Sequence, residues 1–282
     1  MSYVTCAPDG EQTLIIQNFD NTAPIWNYTI GALSFYDFGG TSSDGFWGIT
    51  TSGGGKSLAN NINYSPITNN FLFLQDLQCE NGDGCANTTG TGILTFDSVD
   101  ISGRQNVKFS FDYDVYQFDN ADDVFYELFY DGLSQGEVQF IDGLGDLTVE
   151  GTISINIPST VNNFYFVLKI QQNGSDAAGF DNFKITYTQS SVKTWNGTAW
   201  SGDGLPPTAS QKAIIDGTYN TTTNGDIDAC SIVVNTGFTA TITSGHYFNI
   251  QNDVTVNGTL NILNNGSLVQ INDLGVNTGN IS

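Results

Sequence analysis

Asp119, Asn120, Asp122 and Asp123 fall within five residues of one another, and Asn81 and Asp83 sit between Cys79 and Cys85. Oxygen donors this dense suit Ca2+, which takes six to eight carboxylate, amide or carbonyl oxygens. No stretch carries the EF-hand loop spacing, so the donors of such a site must converge from different strands. Taken singly, any one of these acids reads as a solvated turn residue. The set points to at least one Ca2+ site, with Asp123 as the ligand expected from this run.

Catalysis has little to work with. The single histidine is His246, so Ser-His-Asp and Cys-His arrangements and His-based metal hydrolysis lack their central group. Paired carboxylates could run glycoside hydrolysis, and Asp112, Asp114 and Glu127 are the place to look for them. In a chain with 29 acids, a chance pair on one strand face is expected, and the chain reads as a non-enzyme. The same residues suit binding better. Aromatic rings beside carboxylates hold sugars by stacking on the apolar ring face and hydrogen-bonding the hydroxyls. Trp47, Asp112, Asp114, Tyr116, Phe125, Glu127 and Tyr165, with Phe129 beside them, form the candidate sugar-binding set. The alternative for the aromatics is packing against a neighbouring loop or against the second half of the chain.

Charge narrows the partners. Seven Lys and Arg against 29 Asp and Glu leave a net charge of −22 in 282 residues. Nucleic acid and anionic membranes both require a basic face, so neither is expected as a partner. No apolar run reaches the 18 residues of a membrane-spanning helix. Met1 is followed by no signal-peptide apolar core, and the start MSYVTC has the look of a mature chain carrying an added methionine. Of the acids, 24 are Asp and 5 are Glu, a bias toward turn residues and away from helix formers.

Four cysteines remain. Cys79 and Cys85 bracket ENGDG, a flexible stretch that readily closes a small disulfide ring, and such a ring implies an oxidising, extracellular setting. Cys6 and Cys230 are either a long-range bridge or two buried thiols. The spacings do not suit a zinc ribbon.

The elements that must position these groups are strands. In KFSFDYDVYQF, Phe109, Phe111, Tyr113 and Val115 share one face while Ser110, Asp112, Asp114 and Tyr116 share the other, because side chains alternate with period two. Val124, Tyr126, Leu128 and Tyr130 likewise oppose Phe125, Glu127 and Phe129, and Phe164, Phe166, Leu168 and Ile170 oppose Tyr165, Val167, Lys169 and Gln171. One apolar face per strand and Gly/Asp/Asn connections suggest a two-sheet sandwich or jelly roll over residues 1–190.

From 191 the aromatics thin out and a beat of Asn, Gly, Thr and small apolar residues sets in. VVNTGFTATITSGHYFNIQND and NDVTVNGTLNILNNGSLVQIND repeat one outline every 20 to 22 residues, as successive rungs of a parallel β-helix or β-roll would. Two hairpins with Asn-Gly turns are the competing arrangement. The rung reading implies that further repeats of the same parent chain follow.

TLIIQNFDNTAPIWNY and AGFDNFKITY resemble the first and last strands of secreted jelly-roll modules, among them carbohydrate-binding and laminin-G-like domains. In such modules an acid after the first strand and an Asp opening the last commonly share a structural Ca2+, which the resemblance places at Asp20 and Asp181. NNFLFLQDLQCENGDGCANTTGTGILTFDSVDISG is similar to a stretch of large secreted Bacteroidota proteins in which an apolar strand ends in Asp, here Asp76, a further candidate ligand. TWNGTAWSGDGLPPTASQKAIIDGTYNTTTNGDIDACSIVVNTG and the rungs after it resemble the repeat region of very large surface adhesins exported by the type IX route. The resemblance implies a secreted, Ca2+-stabilised adhesin that presents a glycan-binding jelly roll on a β-solenoid stalk. The rival is a carbohydrate-binding accessory region of a secreted polysaccharide-degrading enzyme.

Overall fold

The computed structural model describes residues 6, 10–38, 45–78 and 90–281. The chain is all-β and separates into two units. One comprises residues 13–102 and 106–187; the other comprises residues 188–282 with 1–12 and 103–105.

The first unit contains β1 (Gly10–Gln17), β2 (Tyr28–Gly31), β3 (Tyr36–Asp37), β4 (Phe46–Thr50), β5 (Phe71–Gln75), β6 (Thr91–Phe96), β7 (Val99–Asp100), β8 (Gln105–Phe118), β9 (Asp123–Tyr130), β10 (Leu133–Asp142), β11 (Leu147–Asn156), β12 (Asn163–Gln171) and β13 (Ala177–Gln189). They form a jelly-roll sandwich. One sheet runs β11-β8-β13-β5-β4-β3 with β1 on β13; the other runs β10-β9-β12-β6-β2 with β7 on β12.

The alternation read from the sequence is the alternation of this core. Phe109, Phe111 and Val115 from β8 meet Phe164, Phe166, Leu168 and Ile170 from β12, all fully buried. Phe111 stacks on Phe183 at 5.4 Å and 12°. The β9–β10 hairpin turns at Asp131-Gly132, both with positive φ (50° and 81°), the geometry that a two-residue type I′ turn requires and that Asp-Gly supplies at low cost. A smaller cluster lies apart from the inter-sheet core. Phe46, Phe71 and Phe73 pack there with Ala59, Ile62 and Ile67 from the segment between β4 and β5.

The second unit contains β14 (Val192–Trp195), β15 (Lys212–Ile215), β16 (Tyr219–Asn220), a four-residue helix α1 (Thr221–Asn224), β17 (Ile227–Ala229), β18 (Ser231–Val234), β19 (Thr239–Ile242), β20 (Tyr247–Ile250), β21 (Val254–Ile262), β22 (Ser267–Gln270) and β23 (Asn277–Ile281). Every ladder between these strands is parallel, so the repeat is a β-solenoid and the hairpin alternative falls. Ala213, Ile232 and Val254 form one buried column, and Ile215, Val234 and Val256 a second. The first rung is covered by an aromatic group of Trp195, Trp200 and Tyr219.

The Asn-Gly beat has a steric cause. Asn257-Gly258 is no turn; it lies inside β21. A Cβ on Gly258 would come within 2.3 Å of the Phe238 carbonyl oxygen and 2.4 Å of that of Asn235 in the preceding rung. Only glycine lets the two backbones meet there. The asparagines stack: the Asn252 amide reaches Cys230 Sγ at 3.2 Å, and the Asn272 amide donates to Asn252 Oδ1 at 3.0 Å.

Candidate functional site

Phe125, Phe129 and Tyr165 join no core and lie on the outer face of β9 and β12. In that antiparallel pair Tyr165 stands opposite Phe129, Val167 opposite Glu127, and Lys169 opposite Phe125. Since the strands' other faces hold Phe164, Phe166 and Leu128 in the interior, alternation turns this row outward. The Phe129 and Tyr165 rings are stacked, 4.3 Å apart at 7°, and both are half-buried. Lys169 Nζ lies 4.7 Å over the Phe125 ring. Glu127 sits between the two aromatic positions of its strand and accepts from the Ser134 hydroxyl of β10. Rings flanked by a carboxylate, a hydroxyl and an ammonium offer both stacking and hydrogen bonding to a polar ring-shaped ligand.

The rest of the expected set lies elsewhere. Asp112, Asp114 and Tyr116 belong to β8, in the other sheet, so neither a common ligand face nor a paired-carboxylate centre with Glu127 is assembled. Asp114 is buried and accepts the backbone N–H groups of Asn63 and Tyr64 at 2.7 and 2.9 Å. Burial raises its pKa and those two bonds oppose the rise. Asp112 accepts from Thr152 Oγ1 and from the Asn182 amide. Tyr116 packs against the smaller cluster. Trp47 is fully buried in the inter-sheet core, edge-on to Phe35 at 5.4 Å, with Gly92 close against its indole. A sugar cannot reach it.

Of the expected metal ligands, Asp20 and Asp181 are drawn together. Asp181 is 1% exposed. Burial first, then the charges of Asp20 and Asp112, push its carboxyl up to about 8, against hydrogen bonds from the Asn182 and Thr68 amides. Asp20, exposed, accepts the Asn70 amide at 3.1 Å. Asp76 is buried, and its amide donates to the Asp176 carbonyl at 3.4 Å. Asp123 accepts the Gln139 amide at 2.7 Å at the edge of β9.

Its neighbour Asp122 turns inward instead, where Asp119, Asp122 and Asp176 bring carboxylate oxygens within 4.8 Å of one another. Ca2+–oxygen bonds of about 2.3–2.6 Å put two ligands of one ion at most about 5 Å apart, so the spacing fits a shared cation. Asp122 is fully buried and takes the Asn173 and Asp119 amides at 2.7 and 3.0 Å. Asp176 is pushed up to about 8, first by burial, then by its hydrogen bond with Asp122 and the charges of Asp122, Asp119 and Asp146. Gly143 lies against the carbonyl oxygens of Asp119 and Asp122, where a Cβ would come within 2.2 and 2.5 Å. The sequence reading missed Asp176. Its only signal was an Asp in a Gly/Ser turn just before the last strand.

In the solenoid unit, His246 Nδ1 lies 2.9 Å from Asp226 Oδ1, which also accepts the Tyr247 amide. Cys6 and Cys230 form a disulfide across a separation of 224 residues, choosing between the two alternatives for that pair. The expected Cys79–Cys85 ring lies outside the described residues. No helix among the described residues is long and apolar enough to cross a membrane.

No protein-family model and no curated protein matches the chain. Among solved structures, the K1 cleaved adhesin domain of Lys-gingipain from Porphyromonas gingivalis is similar at 12% identity and a TM-score of 0.38, over 62% of this chain and 98% of that one. The K2 domain of the same protein is similar at 14% identity and 0.36, over 64% and 100%. The carbohydrate-binding module TmCBM61, solved with β-1,4-galactotriose, is similar at 10% identity and 0.33, over 57% and 86%. Likenesses this remote assign no ligand and no activity.

Proposed function

We propose that the sandwich binds a glycan on the outer face of β9 and β12, and that the protein acts as a secreted cell-surface adhesin with the solenoid as its stalk. The observation that carries this reading is the half-buried row Phe125, Phe129 and Tyr165, which belongs to no core and surrounds Glu127. Half-exposed aromatic side chains beside polar groups are the chemistry of a sugar site. The Cys6–Cys230 disulfide supports an oxidising, extracellular setting. Ca2+ is the proposed stabilising ion, held by Asp119, Asp122 and Asp176, with Asp20 and Asp181 as a second acidic centre. Bound there, it would supply the positive charge that lets neighbouring carboxylates ionise together.

The test is a glycan array followed by titration calorimetry on the best ligand. Tyr165→Ala and Phe129→Ala should each weaken binding about fivefold or more, in line with a loss above about 1 kcal/mol when a contact-bearing interface side chain is truncated. An array blank at high protein density rejects the reading.

A further inference from the structure

We propose that this face selects an amine-bearing sugar, an unacetylated 2-amino hexose unit, and that Glu127 is the seat of its ammonium group; the inference rests on the glycan reading above. The central observation is a like-charge pair. Glu137 of β10 stands directly opposite Glu127 of β9, an arrangement that is destabilising on antiparallel strands. It is brought about by a register shift between Ser134 and Glu137, where Gly136 has φ 92°. Such bulges commonly re-aim side chains.

One of the two carboxylates has its counter-charge. Lys169 Nζ lies 3.2 and 3.1 Å from the two carboxylate oxygens of Glu137 and 4.7 Å over the Phe125 ring. An ammonium group therefore already sits in a seat of carboxylate and aromatic face on this surface. Glu127 has only the neutral Ser134 hydroxyl among its described hydrogen bonds, so of the two carboxylates Glu137 alone holds the lysine. Asp123, bonded to the Gln139 amide, adds a further negative charge on the same strand. The face is thus complementary to a cation and repels uronic or sulfated sugars.

Geometry selects a sugar amine over a free one. Glu127 is two residues from Phe129 on the same side of β9, about 7 Å along the strand. A pyranose stacked on the Phe129–Tyr165 pair would hold a ring substituent within reach of Glu127. The amine would replace a hydroxyl at that point and form a charge-assisted bond, roughly twice as strong as a neutral one.

Titration calorimetry of the full chain near neutral pH, with β-1,4-linked oligomers of glucosamine, N-acetylglucosamine and glucose of equal length, tests this. The glucosamine oligomer should bind about tenfold tighter than the other two, and added salt should shrink the ratio. Glu127→Gln should bring the ratio to about one. The unliganded Glu127→Gln protein should melt no lower than the parent, since the substitution relieves the Glu127–Glu137 repulsion; a lower melting temperature would mark Glu127 as merely structural and overturn the assignment. Equal affinity for all three oligomers overturns the amine seat and leaves the glycan reading standing. Binding of none of them, together with a blank array, rejects the glycan reading itself. Oligolysine binding with the same dependence on Glu127 overturns the choice of a sugar amine.

Discussion

Val256 lies directly beside Val234 in parallel register, one rung on and 22 positions further along the chain. Both are buried, and Ile215 continues the column on the other side. Each rung is covered by the next, so the solenoid's stability is a sum of neighbour contacts rather than of separate hairpins. Close backbone approach at the corners is part of that contact. Gly258→Ala would thrust a methyl group to 2.3 Å from the Phe238 carbonyl oxygen. It should lower unfolding stability by about 1–3 kcal/mol, the usual range for overpacking. Urea unfolding of the two proteins side by side reads this, and an unchanged midpoint would remove glycine's steric role.

What the sequence made legible was periodicity. The two-residue alternation of Phe109, Phe111 and Val115, and the recurrence of Val234 in Val256, reflect burial and stacking that act at every repeat. Strand partnership leaves no such local trace. Asp112 and Glu127 both read as acids on a mixed face, yet β8 pairs with β11 and β13 while β9 pairs with β10 and β12. Trp47 misled because β4 is buried along almost its whole length, Phe46 in one cluster and Trp47 in another, so alternation there marks no exposed side. Asp122 is buried beside Asp119 and Asp176 while Asp123 stands at the β9 edge, and positive φ at Gln117 and Ala121 interrupts the alternation just before β9. Asp176 joins Asp122 from a distant turn, a contact only the fold creates.

The Cys6–Cys230 bridge closes a loop of 224 residues. Cross-links over long loops restrict the unfolded chain most, and removing a native disulfide typically costs about 2–5 kcal/mol. Cys6→Ser should therefore lower the denaturant midpoint, and the parent protein in reductant should fall at least as far as the variant in buffer. Peptide mapping without reduction should recover the Cys6 and Cys230 peptides joined. Identical midpoints for parent and variant under oxidising conditions would count against a stabilising bridge.

Asp114 has a structural task separable from binding. Its carboxylate takes the Asn63 and Tyr64 amides, holding the segment whose Ile62 and Ile67 pack with Phe71 and Phe73. Asp114→Ala would strand two N–H groups at a cost of about 1–3 kcal/mol each if they stay dry. The variant should unfold earlier, with protease cleavage appearing first between residues 51 and 70. A parent-like melting temperature would show that these bonds contribute nothing.

The acidic centres predict how stability follows pH. Asp176 and Asp181 are each held up at about 8 against an ordinary 3.8, so between those values the folded chain keeps protons that the unfolded chain has released. The stability these two groups contribute then declines as pH rises from about 4 to about 8, the stabilising protonation being complete below the unfolded value and lost through the folded one. A cation at Asp119, Asp122 and Asp176 would take over the role of the proton and act only on the folded chain. At a hundredfold excess over its Kd it would add about 2.7 kcal/mol. Urea midpoints in EDTA should therefore fall between about pH 5 and about pH 8, and millimolar Ca2+ should restore the loss at the upper end far more than at the lower. Asp122→Asn should remove most of the Ca2+ response, because it takes one of the three carboxylates from the cluster. Midpoints that coincide in EDTA and Ca2+ at about pH 8 would sink the cation assignment, while a midpoint in EDTA that rises with pH would contradict the protonated cluster itself.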